Sequence, residues 1–99
     1  MTQHDLDDLS QILGAYLHQD WADEFDSDES ALRSALDSEP KDKIAAARRS
    51  LDRLLASQFT EAELREELVV RLGCYFDPNS KGMTYRQWLA RVSQLLSQS

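Results

Sequence analysis

Apolar residues recur at helical spacing along most of this chain, and this periodicity constrains its fold more than any other feature. The clearest stripe lies between residues 40 and 57, where Ile44, Ala47, Leu51, Leu54 and Leu55 follow one another every one to four positions. Such spacing places one apolar face along an α-helix. The most strand-like run is VVRLGCYF, but its leucine already belongs to the stripe of another helix. The pattern therefore favours helices throughout.

Start and stop signals divide the chain into five predicted helices. In a capping box, the side chain before the helix and the side chain three residues later each form a hydrogen bond with the backbone N–H of the other. The candidate boxes pair Asp26 with Glu29, Thr60 with Glu63 and Thr84 with Gln87. The sequence thus predicts an all-α bundle of four to five helices, forming a single domain over residues 1–99. The expected helices span about 5–18, 27–37, 40–57, 60–72 and 84–97.

Three residues mark special backbone positions in these helices. Pro40 suits a first helical position, because its missing N–H would have no partner inside the helix. Gly73 stands where a glycine usually ends a helix. Gly14 lies inside the first helix, where it weakens the helix by ~1 kcal/mol relative to alanine. It either lets another backbone approach closely or is merely tolerated.

The chain carries no visible targeting or cofactor signal. Its polar, acidic beginning lacks the basic and apolar regions of a signal peptide, and no apolar run approaches the ~20 residues that a membrane helix needs. Cys74 is the only cysteine, so it cannot form an internal disulfide, and a small buried side chain is the expected role. We expect a cytoplasmic protein without a cofactor.

Charge is distributed very unevenly along the chain. Residues 1–39 hold eleven Asp or Glu and one base, Arg33, whereas residues 40–99 hold seven acids and ten bases, which gives the net charge of -7. An acidic surface argues against direct binding of nucleic acid or of an anionic membrane, because both need a basic face. A basic protein is the natural complement.

The acids are densest in the segment HQDWADEFDSDES, residues 18–30, which has six carboxylates and no lysine or arginine. A metal site would use His18, Asp20, Asp23 and Glu24, but the segment lacks an HExxH motif and a calcium-loop pattern. Paired catalytic carboxylates would need a cleft and one raised pKa, which exposed acids on a small bundle do not have. Helix capping and a solvated acidic surface explain the segment better, and we expect no enzyme activity.

A binding surface is the third interpretation of this segment. Acidic clusters raise association rates with basic partners by about 10- to 1,000-fold, and Trp and Tyr are the residue types that anchor interfaces. For Tyr16 and Phe25 a core position is favoured, whereas core and interface stay open for Trp21. We expect His18 to be a polar helix end that bonds Asp20 or a carbonyl. The basic face of the third helix is an alternative partner for these acids inside the molecule.

Two separated stretches resemble one known family. LGAYLHQDW (residues 13–21) followed by Glu24-Phe25, and LGCYFDP (72–78) followed by GMTYRQWL (82–89), resemble the small helical immunity proteins of contact-dependent growth inhibition systems. Between them, LDRLLA (51–56) and TEAELREEL (60–68) are similar in kind but less specific. The resemblance covers nearly the whole chain.

The resemblance implies that the protein binds and neutralises the carboxy-terminal toxin domain of a large delivered protein, in a one-to-one complex. Such toxins are often nucleases, whose phosphate-binding face is basic and would complement acids. Residues common to the family are expected to hold the fold, so specificity should lie on the less characteristic acids, Asp23, Asp26, Asp28 and Glu29. The rival hypothesis is an acidic helical adaptor or anti-activator that binds a basic regulator. The predicted partner-binding residues are Asp20, Trp21, Asp23, Glu24, Asp26, Asp28 and Glu29.

Overall fold

The computed structural model describes residues 3–97, except the side chain of His4, and these residues form an all-α bundle, as the sequence predicts. The two residues at each end of the predicted domain lie outside the described part, and the extent of the domain stays a prediction. Helix α1 (Gln3–Leu9) passes into a π-helical turn (Ser10–Gly14). The remaining elements are α2 (Trp21–Glu24), α3 (Asp28–Ser38), α4 (Lys41–Ala56), α5 (Glu61–Glu66) with a π-helical continuation (Glu67–Leu72), a 3₁₀ turn (Pro78–Lys81) and α6 (Tyr85–Ser97).

The predicted helix boundaries agree with the observed ones to within about two residues, apart from the first helix. The periodicity misses α2, because a single turn of four residues is too short to show a repeating apolar stripe. This turn lies in the middle of the acidic segment. It therefore gives a definite backbone course to residues that the sequence alone leaves without structure.

The helices enclose one continuous apolar core. α4 lies between α1 and α6 and packs on both, while α5 packs on α6. The apolar stripe predicted for residues 40–57 points inward, although Leu55 at its margin is only partly buried. Trp88 is fully buried. The core side chains include Leu9, Ile12, Leu13, Leu17, Ala31, Leu32, Ala35, Ile44, Ala47, Leu51, Leu54, Leu64, Leu68, Leu72, Leu89 and Val92.

Two of the three predicted capping boxes are present. Thr60 and Glu63 satisfy each other's backbone N–H at the start of α5, and Thr84 and Gln87 do the same before α6. The third prediction is wrong by one residue. The N-cap of α3 is Ser27, whose hydroxyl accepts a hydrogen bond from the N–H of Ser30 at 3.1 Å. Ser27, and not Asp26, is the cap because Ser27 has the extended backbone that an N-cap needs.

The other predicted backbone positions are partly confirmed. Pro40 precedes α4 as its N-cap, with extended backbone angles, so its placement as the first helical residue is wrong by one position. Its carbonyl accepts the hydrogen bonds of Lys43 and Ile44. Gly73 ends the fourth predicted helix in the left-handed region at φ 73°, where glycine has no steric cost.

Gly14 lets two backbones meet, as one of its two predicted roles requires. The two π-helical segments lie against each other, and a Cβ built on Gly14 would collide with the carbonyl oxygen of Leu72. The Ser10 hydroxyl donates to the same oxygen at 3.3 Å. This close approach continues through Tyr75, whose N–H donates to the carbonyl of Leu17 at 2.8 Å. The chain after α5 is thereby fixed beside the start of the acidic segment.

Candidate functional site

The acidic segment, residues 18–30, is held against the core by its aromatic side chains. The Trp21 ring packs edge-on against Phe76, with ring centroids 5.6 Å apart, and Phe25 lies 6.4 Å from Tyr16. All three aromatic residues of this region are partly buried and pack against the core. For Tyr16 and Phe25 this agrees with the favoured core position. Trp21 has one side on Phe76 and the remainder in solvent, so its role in an interface stays a prediction.

His18 is the polar helix end that the sequence predicts. The N–H of Asp20 donates to His18 Nδ1 at 3.1 Å, and His18 Nε2 lies 3.2 Å from the Glu24 carboxylate. Because Nδ1 accepts a hydrogen bond, the neutral ring carries its proton on Nε2 and donates it to Glu24. His18 therefore ties the two ends of the α2 turn together.

Asp28 does not face outward, so its prediction as an exposed partner-binding acid is wrong in that respect. Its side chain is only 3% exposed. One carboxylate oxygen accepts from the Trp88 indole N–H at 2.8 Å, and the other accepts from Lys81 Nζ at 2.6 Å. Burial opposes the ionised form of Asp28, but the hydrogen bonds from Lys81 and Trp88 outweigh it and hold the pKa below its usual value. Periodicity cannot reveal this, because the partners lie 53 and 60 residues away.

Glu29 is paired inside the molecule. Its carboxylate accepts from Arg33 at 3.0 Å and from Arg91 at 3.3 Å. The hydrogen bond and charge of Arg33 lower its pKa, with a smaller contribution from Arg91. Two neighbouring guanidinium groups offset its negative charge, so Glu29 adds less to the outward field than its place in the sequence suggests.

Four carboxylates of the segment remain exposed, namely Asp20, Asp23, Glu24 and Asp26, and we call them the acidic patch. Among the described residues, no lysine or arginine forms an ion pair with any of them, and only His18 contacts one, Glu24. The basic residues of α4 do not cancel this charge: Arg53 pairs with Asp5, and Arg48 lies 4.0 Å from Asp52. The internal pairing proposed as an alternative is therefore not formed with the patch.

The geometry of the described side chains bears on two kinds of chemical site, a metal site and a reactive thiol. No group of three or more His, Cys, Asp or Glu among them could hold a metal ion, so His18 and its acidic neighbours do not converge. Cys74 is completely buried, and this burial raises the pKa of its thiol to about 12. The thiol thus stays protonated and is a poor nucleophile. No helix in the described part is long and apolar enough to cross a membrane.

A cluster of side chains that the sequence does not predict supports the acidic segment on the side that faces the core. Phe76 lies between the rings of Trp21 and Trp88, 5.6 and 5.0 Å away, and Lys81 Nζ lies 5.9 Å from its ring centre. Together with Asp28, these side chains connect α2, α3, α6 and the loop before α6. The only sequence signal for this cluster is the pair of stretches, around Trp21 and around Phe76, that carry the family resemblance.

The comparisons agree with this picture. The family model described as CdiI immunity protein matches residues 5–96, and the chain belongs to that family. Among solved structures, a chain of the "Crystal structure of CdiA-CT/CdiI complex from Y. kristensenii 33638" has the same fold, with a TM-score of 0.85 at 22% sequence identity. The match covers 93% of this chain and 98% of that one. No curated protein matches significantly. The fold and the family together define a small helical immunity protein.

Proposed function

We propose that this protein neutralises the carboxy-terminal toxin domain of a contact-dependent growth inhibition system by tight one-to-one binding in the cytoplasm. It carries out no chemistry. Membership in the CdiI immunity family supports the general role. The observation that carries the specific proposal is the acidic patch, four exposed carboxylates that no lysine or arginine of the described chain neutralises.

The charge of the patch favours a basic partner. Like charges held close together on one turn and its flanks repel one another, and bringing cations near them relieves that repulsion. A nuclease must bind phosphates and therefore presents basic residues around its active site. We infer that the toxin is a nuclease whose basic face meets the patch, so that the immunity protein competes with the nucleic acid for the same cations.

The residues of the segment divide into three roles in this proposal. Asp20, Asp23, Glu24 and Asp26 steer the encounter, because exposed charges act mainly on the association rate. The solvent-exposed part of Trp21 contacts the toxin, since tryptophan is frequent among the residues that dominate binding energies. Asp28 positions α3 instead of touching the toxin. Glu29, shared between two arginines, lies at the margin of the interface.

The experiment uses the purified protein and the carboxy-terminal domain of the protein encoded immediately upstream. Isothermal titration calorimetry should give one-to-one binding with a dissociation constant in the nanomolar range or below, about -12 kcal/mol or stronger. Cleavage of RNA and DNA by the toxin domain should stop at one equivalent of the immunity protein. A toxin with no nuclease activity would overturn the nuclease proposal alone.

The same experiment separates the rival function. If the neighbouring gene encodes a DNA-binding regulator, and the protein binds that regulator but no toxin domain, then the acidic patch belongs to an adaptor or anti-activator. Absence of binding to the toxin domain would contradict the proposed function as a whole.

A further inference from the structure

Two large apolar side chains of the described chain are exposed, and they lie on the same side of the molecule. Val70, in the π-helical continuation of α5, is 73% exposed, and Tyr75, in the loop that follows, is 48% exposed. The other large apolar side chains of residues 3–97 are buried or partly buried. Single exposed apolar residues are ordinary on a protein surface, so their surroundings decide whether they indicate a binding surface.

These two side chains line neighbouring depressions. One, of ≈ 340 Å³, is lined by Ala62, Val69 and Val70 with Arg65 and Glu66 at its edge. The other, of ≈ 460 Å³, is lined by Tyr75, Phe76 and Tyr85 together with the polar side chains of Asp77 and Asn79. Arg65 and Val69 belong to both walls, so the depressions adjoin along them. We call this surface the apolar groove; its apolar lining is Ala62, Val69, Val70, Tyr75, Phe76 and Tyr85.

The apolar groove is continuous with the acidic segment. Phe76 lines the groove and is also the ring on which Trp21 packs, 5.6 Å between centroids. The Tyr75 N–H donates to the Leu17 carbonyl, directly before His18. The backbone that presents Tyr75 is thus bonded to the backbone that leads into the acidic patch. The exposed Tyr75, the partly exposed Trp21 and the acids therefore occupy adjoining surface.

The size of a stable interface also requires more surface than the patch supplies. A standard protein complex uses about 20–30 residues on each side and has an apolar centre with a polar rim. The patch consists of four acids around one partly exposed tryptophan, so it resembles a rim. The apolar groove beside it supplies the exposed apolar side chains, Val70 and Tyr75, that the patch lacks.

The charges beside the groove disfavour a second copy of this chain as its occupant. A symmetric dimer through Tyr75 would bring together two molecules that each carry a net charge of -7. A partner with basic residues around an apolar side chain avoids this repulsion. The toxin proposed above has that basic surface.

We propose that the apolar groove is the centre of the toxin-binding face and receives an apolar or aromatic side chain of the toxin, flanked by lysines or arginines that reach the acidic patch. This inference rests on the proposed function. In it, Tyr75 and Val70 determine how long the complex lasts, whereas the acidic patch determines how fast it forms.

The test compares dissociation rates of the toxin complex for three variants. Val70→Ser and Tyr75→Ser remove apolar surface from the groove, and Ala62→Trp fills it without deleting a core contact. Ala45→Trp places the same bulk at an exposed position of α4 and is the matched control. We expect Tyr75→Ser and Ala62→Trp to speed dissociation by about tenfold or more, with association changed by less than about threefold. The control should dissociate like the wild type. Thermal unfolding of each free variant verifies the fold, and Ala62→Trp keeps the test decisive if Tyr75→Ser is unstable.

Two outcomes overturn the inference while leaving toxin binding intact. In the first, the wild type binds the toxin domain, but the folded groove variants dissociate at its rate. In the second, sedimentation equilibrium shows that the free protein dimerises and that Val70→Ser abolishes the dimer, which would assign the groove to a second copy. Failure of the wild type to bind the toxin at all would instead remove the proposed function, and the inference with it.

Discussion

At the scale of single residues, Asp28 separates what a sequence can predict from what it cannot. Its neighbours in the chain are acids, and the charge pattern places it among them as an outward-facing group. Its structural neighbours are Trp88 and Lys81, which come from two distant segments. A carboxylate is found buried when it is paired and hydrogen-bonded. The pairing depends on how α3, α6 and the 3₁₀ turn meet, and single-sequence patterns do not contain that information.

Replacing Asp28 with Asn should destabilise the protein by about 1–3 kcal/mol, because the charged hydrogen bonds from Trp88 and Lys81 are lost or weakened in a buried place. Urea denaturation measures the change in the free energy of unfolding. Asp26→Asn is the matched control, since Asp26 is exposed and without an ion pair, and it should change stability by less than about 0.5 kcal/mol. Equal effects of the two substitutions would show that Asp28 is not held as described.

The lowered pKa of Asp28 also predicts how its contribution depends on pH. Because the folded protein favours the ionised form, the stabilisation is complete above the ordinary aspartate pKa of about 4 and is lost as the pH falls through the lower pKa of the folded state. The stability difference between wild type and Asp28→Asn should therefore stay constant from neutral pH to about pH 5 and shrink below about pH 4. Denaturation curves at several acidic pH values test this. A difference that grows in acid would contradict it.

Gly14 is a second residue whose role is defined by a distant partner. An alanine in the middle of a helix normally stabilises it by ~1 kcal/mol relative to glycine. Here the added methyl group would meet the Leu72 carbonyl, so Gly14→Ala should instead destabilise by about 1–3 kcal/mol. Thermal or urea unfolding measures whether the substitution raises or lowers the free energy of unfolding. Adding Ser10→Ala should not restore stability, because the added methyl group still meets the backbone carbonyl of Leu72. Full recovery of stability in the double variant would show that the methyl group clashes only with the Ser10 hydroxyl.

At the scale of elements, local sequence signals are most reliable where the chemistry itself is local. The boxes at Thr60 and Thr84 lie within a single turn, and both form as predicted. The start of α3 has acceptor side chains at both Asp26 and Ser27, and only the backbone conformation decides between them. The α2 turn carries no repeating stripe at all. Its course is determined by Trp21 packing on Phe76, a contact across 55 positions that no local pattern predicts.

The cap of α3 gives a direct test at this scale. Ser27→Ala should cost about 1 kcal/mol of stability, because the N–H of Ser30 loses its acceptor. Asp26→Ala should cost much less, since Asp26 does not cap the helix. Urea denaturation of both variants measures the comparison. A larger cost for Asp26→Ala would return the capping role to Asp26 and would make it a less available residue for binding the toxin.

At the scale of the whole molecule, the sequence predicts the fold class and the family but not the outline of the proposed binding surface. Helical periodicity needs only the order of residues, and the fold follows from it. The acids look equivalent in the sequence, whereas the structure divides them into a buried one, a paired one and an exposed patch of four. The sequence does not predict the groove around Tyr75, because its walls come from α5, the following loop and α6, which only the fold brings together.

The unpaired charge of the acidic patch is the central claim, and the rate of association with the toxin domain tests it most directly. The triple variant Asp20→Asn, Asp23→Asn and Asp26→Asn is compared with a control of equal charge change, Asp7→Asn, Asp42→Asn and Asp52→Asn, whose residues are exposed on α1 and α4. We expect stopped-flow association at low salt to slow by about tenfold or more for the patch variant and much less for the control. The difference in association rate between the wild type and the patch variant should also shrink as the salt concentration increases. Equal rates for all three proteins at low salt, or an equal loss in both variants, would contradict the account.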